Sequence, residues 1–234
     1  MLESHYLYLL LMLASVSIPF SQSFEHRIRF YKNWKALFWG IGVMMAVFIP
    51  WDIAFTHLGV WWFRDDYITG WKMALLPLEE WLFFILIPYA CVFMYEALRY
   101  LIKKPLPVIW AQRFFGLLSI VLLLLSFYYF PNYYTCITFS LTALACAALA
   151  MIKPPWISHF LVMYLASWIP FLLVNGVLTG NFTRQAIVNY NSEEIIGLRI
   201  TTIPVEDSMY SLLMLLLVVA VYEWKKKGVR QISP

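Results

Sequence analysis

Apolar residues run along this chain in long blocks separated by short polar segments. Seven blocks are long enough to cross a lipid bilayer: residues 4–20, 36–54, 78–99, 110–130, 133–152, 156–179 and 204–224. A helical crossing needs about 20 mostly apolar residues. The breaks carry turn residues, such as Pro131-Asn132 and Lys153-Pro154-Pro155. The first block has no basic segment before it and no small-residue cleavage site after it, so it reads as a span and not as a cleaved signal peptide. The pattern predicts an all-α integral membrane protein with seven transmembrane helices.

Composition narrows the class further. Hydrophobic residues make up 62 % of the 234 and charged residues 13 %, against about 45–50 % and 25 % in soluble domains. A soluble globular enzyme and a disordered chain are both excluded. The net charge of +4 is too small, and too confined to short clusters, for a nucleic-acid binder. With seven spans, thirteen Lys and Arg fall in the loops of one side (segments 27–35, 99–113, 153 and 225–230) and four on the other (Arg64, Lys72, Arg184, Arg199). The positive-inside rule then puts the N-terminus outside and the C-terminus in the cytoplasm. Cys91, Cys136 and Cys146 show no paired spacing, and the four histidines form no HxxH or HxxxH pair. Neither a disulfide framework nor a histidine-box metal centre is indicated.

The chain repeats itself. Ile68-Thr-Gly70-Trp-Lys72-Met-Ala-Leu-Leu-Pro77-Leu-Glu79-Glu80 matches Ile195-Ile-Gly197-Leu-Arg199-Ile-Thr-Thr-Ile-Pro204-Val-Glu206-Asp207 position by position, without a gap. Tyr95-Glu96 recurs as Tyr222-Glu223 at that same offset, and Asp52 corresponds, with a gap, to Asn175. Spans one to three and five to seven are thus two units of three helices. An odd number of crossings reverses direction, and the fourth span restores it. The units are therefore parallel, related by a pseudo-two-fold along the membrane normal. The expected organisation is a first repeat over 1–105, a linking helix within 106–131 and a second repeat over 132–234.

Pro77 and Pro204 then begin their helices at one face of the membrane. Proline and carboxylates both suit a first helical turn, so a single Pro-x-Glu-Glu is an ordinary helix start. Two copies at matched positions, in a chain with 13 acids, point instead to a site. Neighbouring helix positions are about 100° apart. Hence one member of Glu79/Glu80 and one of Glu206/Asp207 reaches the interior, while the other faces loop, solvent or a basic partner such as Lys72 or Arg199. An acid role requires that one of the converging carboxyl groups keep its proton. Asp52 and Asn175 are placed to orient the acids or to pair with each other. Trp61, Trp62, Tyr67, Trp81, Phe83, Tyr190 and Tyr210 are the aromatic candidates nearest the motifs. Such rings serve either as an interfacial belt or as a cation-stabilising wall. Tyr95-Glu96 and Tyr222-Glu223, beside Arg99 and Lys225, fall at the opposite end and read as structural.

These residues carry a resemblance. Gly59-Val-Trp-Trp-Phe63, Tyr67-Ile-Thr-Gly70, Pro77-Leu-Glu-Glu-Trp-Leu-Phe-Phe84 and Pro88-Tyr89 resemble the first half of the heterodimeric-type lycopene cyclases. Pro170-Phe-Leu-Leu-Val-Asn-Gly-Val-Leu-Thr179, Asn189-Tyr-Asn191 and Ile203-Pro-Val-Glu-Asp207 resemble the second half, here fused in one chain. The resemblance implies acid-catalysed closure of the ψ end group of lycopene to a β-ionone ring, giving γ-carotene, β-carotene or both. This is an isomerisation without net redox change. Glu79 or Glu206 is the expected proton donor, Glu80 or Asp207 the base. No flavin or nicotinamide is required and no GxGxxG is present, so no cofactor is expected. The implied setting is a bacterial inner membrane, with lycopene or another linear carotenoid as the partner in the bilayer and other carotenoid-pathway enzymes as neighbours. A carotenoid hydratase would use the same protonation and let water capture the cation. A small-solute carrier with three-plus-one-plus-three spans shares the repeat, but such carriers bind at mid-membrane. A retinal receptor needs a lysine in the seventh span, which has none between 204 and 224. A metal ion held among Glu79, Glu80, Glu206 and Asp207 is the remaining alternative.

Overall fold

The computed structural model describes residues 4–103 and 105–232, with side chains through Lys226. Lys104 and the side chains of Lys227 and Arg230, counted in the charge asymmetry above, lie outside the described residues. Seven α-helices appear among the described residues: α1 (Leu7–Gln22), α2 (Trp34–His57), α3 (Leu78–Leu101), α4 (Val108–Tyr128), α5 (Tyr133–Ile152), α6 (Ile157–Leu178) and α7 (Val205–Ile232). Six are long and apolar enough to cross a membrane, whereas α1, with 16 residues, is shorter. At 1.5 Å per residue α1 covers about 24 Å. A full complement of seven spans is therefore not established by helix length alone.

The helices associate in a matched way. α1 lies on α3 and α5 on α7, while α2 packs on α7 and α6 on α3; α4 lies against α5 and α6. Most of the core sits among α2, α3, α6 and α7, with Leu37, Met44, Phe48, Phe84, Val92, Leu215 and Val218 buried. Between helices in lipid, close packing and not the hydrophobic effect supplies the attraction, so small residues matter at contacts. Gly40 marks such a contact: a Cβ there would lie 2.8 Å from the Val218 carbonyl oxygen on α7.

Short strands link the helices at one end. Before α3, β2 (Lys72–Met73) pairs with β3 (Leu76–Pro77), and before α7, β5 (Arg199–Ile200) pairs with β6 (Ile203–Pro204). The two hairpins match residue for residue in the alignment of the repeats. In each, the first helical N–H donates back across the hairpin: Leu78 to the Trp71 carbonyl at 2.8 Å and Val205 to the Leu198 carbonyl at 3.1 Å. Gly70 and Gly197 precede the hairpins with φ of +86° and +85°. An added Cβ would meet nothing at either, so glycine is needed there for its backbone alone. Pro77 and Pro204 each stand just before the first helical residue, outside the helix proper. Their fixed φ serves the strand end that leads into the helix.

A third pairing joins the halves. β1 (Trp61–Phe63) runs antiparallel to β4 (Val188–Tyr190), with Trp61 opposite Tyr190. Far along the helices, α3 and α7 are tied again. Tyr95 Oη donates to Glu223 Oε1 at 3.0 Å and Lys226 Nζ to Glu96 Oε1 at 2.5 Å, and Arg99 also donates to Glu223. The structural reading of the Tyr-Glu pairs stands, with one correction. The lysine engaged is Lys226, the repeat counterpart of Arg99, while Lys225 Nζ lies over the Trp39 ring at 4.4 Å. One face of a helix recurs every three to four residues, which puts Glu223 and Lys226 on the side of α7 that meets α3.

Replacing Gly40 with Ala should push α2 off α7 and cost about 1–3 kcal/mol. Gly42→Ala, where an added Cβ meets nothing within 4 Å, should not. Thermal unfolding of the two variants in detergent checks this, with a lowered midpoint expected only for Gly40→Ala.

Candidate functional site

The hairpins determine what the first-turn acids can reach. Glu79 Oε1 accepts the Thr69 backbone N–H at 2.7 Å, and Glu206 Oε1 accepts the Ile196 backbone N–H at 2.7 Å. Thr69 and Ile196 are again equivalent positions of the two repeats. Thr135 Oγ1 also donates to Glu206, at 2.6 Å. Both glutamates are fully buried. Each side chain folds back onto the loop that precedes its helix and ties that loop down.

One position on, the helix turns about 100° and the carboxyl group faces the other way. Glu80 and Asp207 both line one cavity of about 610 Å³. Tyr8 Oη on α1 donates to Glu80 Oε2 at 2.5 Å. Asp207 accepts three bonds: Tyr134 Oη at 2.7 Å on Oδ1, and Asn175 Nδ2 and Tyr190 Oη at 2.8 Å each on Oδ2. Asp52 lines the same cavity; its Oδ1 accepts Trp61 Nε1 at 2.7 Å, and its buried Oδ2 has no partner among the described residues. Burial, and after it the neighbouring Asp207 charge, raise the Tyr190 phenol well above its ordinary range. Tyr190 is therefore an O–H donor and not a phenolate.

Aromatic rings frame this end of the cavity. Tyr134 stacks on Tyr190 with centroids 5.9 Å apart, and Trp61 meets Tyr134 edge-on at 5.1 Å and Tyr210 at 6.2 Å. The β1–β4 pair contributes Trp61, Phe63, Val188 and Tyr190 to the wall, and Phe83 enters from α3. From there the cavity follows α1, α3 and α6 and reaches Leu98, about 27 Å along α3 from Glu80. Apart from the acid end, side chains such as Leu11, Ile87, Met94, Phe171 and Val174 make it apolar.

Of the residues singled out in the sequence, Glu80, Asp207, Asp52, Asn175, Trp61, Phe83, Tyr190 and Tyr210 come together at the cavity. The others are placed elsewhere. Glu79 and Glu206, the expected donors, are turned to their loops. Lys72 pairs with Asp65 at 2.7 Å on the surface, and Arg199 donates to the Thr202 carbonyl at 2.6 Å and lies over Tyr190. Neither is bonded to a motif acid, because the hairpin carries both cations to its outer side. Asn175 bonds Asp207 and Asp52 bonds Trp61, so these two do not pair with each other. Trp62 is half exposed, Trp81 Nε1 donates to the Met73 carbonyl at 3.2 Å, and Tyr67 packs with Leu7 and Met12 in a separate apolar cluster. Among the described residues no three His, Cys, Asp or Glu side chains gather as a metal-binding group.

Sequence reasoning missed Tyr8 and Tyr134. Each sits in an apolar block where a tyrosine is unremarkable. Nor does the repeat signal them, since at its offset Tyr8 corresponds to Thr135 and Tyr134 to Leu7. If Glu79 and Glu206 are loop anchors, Glu79→Ala and Glu206→Ala should each lower stability by about 1–3 kcal/mol through the orphaned backbone N–H. Glu79→Gln, which still offers an acceptor oxygen, should stay close to the parent in thermal unfolding.

Residues 5–98 and 129–225 match the family model described as lycopene cyclase. The stretch between them contains the whole of α4. No curated protein and no solved structure matches the chain. Together the two regions take in most of the sequence, both acid motifs and every cavity-lining carboxyl group, and the chain belongs to the lycopene cyclase family.

Proposed function

We propose that the protein closes the ψ end group of lycopene, or of a related linear carotenoid, to a β-ionone ring, with Glu80 as proton donor and Asp207 as proton acceptor. The observation that carries this reading is that these two carboxyl groups, one from each half, line one apolar cavity. Both Asp207 oxygens are already occupied by donors, so that carboxyl is set as an acceptor; Glu80 accepts from Tyr8 at Oε2, which leaves Oε1 to carry a proton. Glu80 delivers its proton to C2 and leaves a cation at C1. The C5=C6 electrons form the C1–C6 bond and move the cation to C5. Asp207 takes the proton from C6, and the double bond returns between C5 and C6. One proton enters and one leaves, so the reaction is an isomerisation, formally an intramolecular lyase reaction. Trp61, Phe83, Tyr190 and Tyr210 line the cavity, and a ring face turned to the charge as it forms favours the cation through the ring quadrupole. The apolar wall keeps out water that would trap the cation as an alcohol.

The architecture we infer around this site is two parallel three-helix repeats, 1–105 and 132–234, joined by a linking helix in 106–131. The hairpins and acid-to-loop bonds, matched between the halves, support it, as does the position of α4 between the two family-matched regions. In this arrangement α1 completes seven spans. The charge distribution puts the N-terminus outside, the acid end toward the outer face and the C-terminus in the cytoplasm of a bacterial inner membrane. The carotenoid reaches the cavity from the bilayer.

In lycopene-producing cells, Glu80→Gln and Asp207→Asn should each lower cyclic carotene by about 100-fold or more, the usual contribution of a positioned acid or base. Tyr134→Phe and Tyr190→Phe should cost less, because each removes one of the three donors to Asp207. Chromatography of the pigments checks this. Normal levels of cyclic product from Glu80→Gln would overturn the assignment.

A further inference from the structure

The two halves carry matched acids, yet the cavity that both acids line runs along α1, α3 and α6 to Leu98, whereas α7 contributes from Asp207 to Leu215 and α2 contributes Asp52 alone. Around the middle of the channel the sequence differs in side-chain size between the two seams. Ala90 and Cys91 on α3 line the cavity; their equivalents in the second repeat are Leu217 and Val218. Ser167 and Val174 on α6 line it too. In the alignment that sets Asn175 against Asp52, their counterparts on α2 are Met44 and Trp51. In these four pairs the cavity side holds the smaller residue, whereas nearer the far end Phe93 and Met94 have the smaller counterparts Ala220 and Val221. Leu217, Val218, Met44 and Trp51 all belong to the packed core, and Gly40 lets α2 close against Val218. One seam is filled and the other is held open. Ser167 adds little polarity to the opening, since its hydroxyl donates to the Tyr164 carbonyl of its own helix at 2.7 Å.

We propose that Ala90 and Ser167 are specificity-determining residues that keep a channel open along α3 and α6 for the extended apolar tail of a long linear polyene whose end group sits at Glu80. The proposal rests on the cyclase reading above. Ala90 lies ten positions beyond Glu80, about 15 Å along the helix, so filling the channel there leaves the acid end in place. A long substrate needs the space beyond Ala90, whereas a short one carrying the same end group does not.

The test installs the residues of the filled seam. Full-length Ala90→Leu, Ser167→Met and the double variant, reconstituted in lipid vesicles and checked by thermal unfolding, are given lycopene or a C20 acyclic polyene with the same end group. Lycopene conversion should fall about tenfold or more, since overpacking by a few methylenes is costly. Conversion of the short polyene should stay within about twofold, as should both substrates with Leu217→Ala on the filled seam. Ala90→Val, a smaller addition, carries the test where Ala90→Leu does not accumulate. Unchanged lycopene conversion in folded channel-filling variants would overturn the proposal, and so would equal losses on both substrates. A parent protein that cyclises neither substrate would instead overturn the cyclase reading itself.

Discussion

A carboxyl group buried in a membrane bundle has to find hydrogen bonds inside the protein, because lipid offers none and each unmet polar group there is expensive. That constraint organises this molecule. At the end where α3 and α7 begin, Glu79, Glu80, Glu206, Asp207 and Asp52 are all buried, and the surrounding chain supplies each with at least one partner, while one oxygen each of Glu79, Glu206 and Asp52 has none among the described residues. The two hairpins present the Thr69 and Ile196 N–H groups to Glu79 and Glu206. α1, α5, α6 and the β4 strand present Tyr8, Tyr134, Asn175 and Tyr190 to Glu80 and Asp207. The adjacent acids in each motif thus divide the work: the first holds the loop that shapes the end of the cavity, and the second faces what the cavity contains.

The same division explains the aromatic residues. Rings that could have been a simple interfacial belt are instead tied into the acid cluster. Trp61 donates to Asp52, Tyr134 and Tyr190 donate to Asp207, and Trp61, Tyr134 and Tyr190 contact one another. The β1–β4 pairing, drawn from the loops of both halves, brings Trp61 opposite Tyr190. At the far end Glu96–Lys226 and Glu223–Arg99 clamp α3 to α7. The helices that carry the two cavity acids are therefore held together at both ends.

Much of this was legible in the sequence because it rests on residue type and period. The apolar blocks locate the helices closely, since α5 spans 133–152 as expected and α6 spans 157–178 against an expected 156–179, although α7 runs on to Ile232 past an expected end at 224. The internal repeat placed Glu80 and Asp207 at equivalent positions. The small strands were not legible. Their turns use Ala74, Leu75 and Thr201 at positive φ in place of the Asn-Gly or Gly that signals a hairpin. Without the hairpins, nothing in Pro-x-Glu-Glu reveals which acid bends back to the loop. Nor does α1 disclose Tyr8, which becomes a partner for Glu80 only when two helices distant in the chain are brought together.

The central claim is that a buried carboxyl group hands a hydrogen ion to carbon at a site walled off from water. The most direct measurement is the isotope content of product formed by the parent protein in deuterium oxide, where carboxyl protons exchange between turnovers. Mass spectrometry and carbon NMR should find one carbon-bound deuterium in each new ring, at C2, and no added oxygen. Rings formed without deuterium, or a product carrying a tertiary hydroxyl, would contradict it.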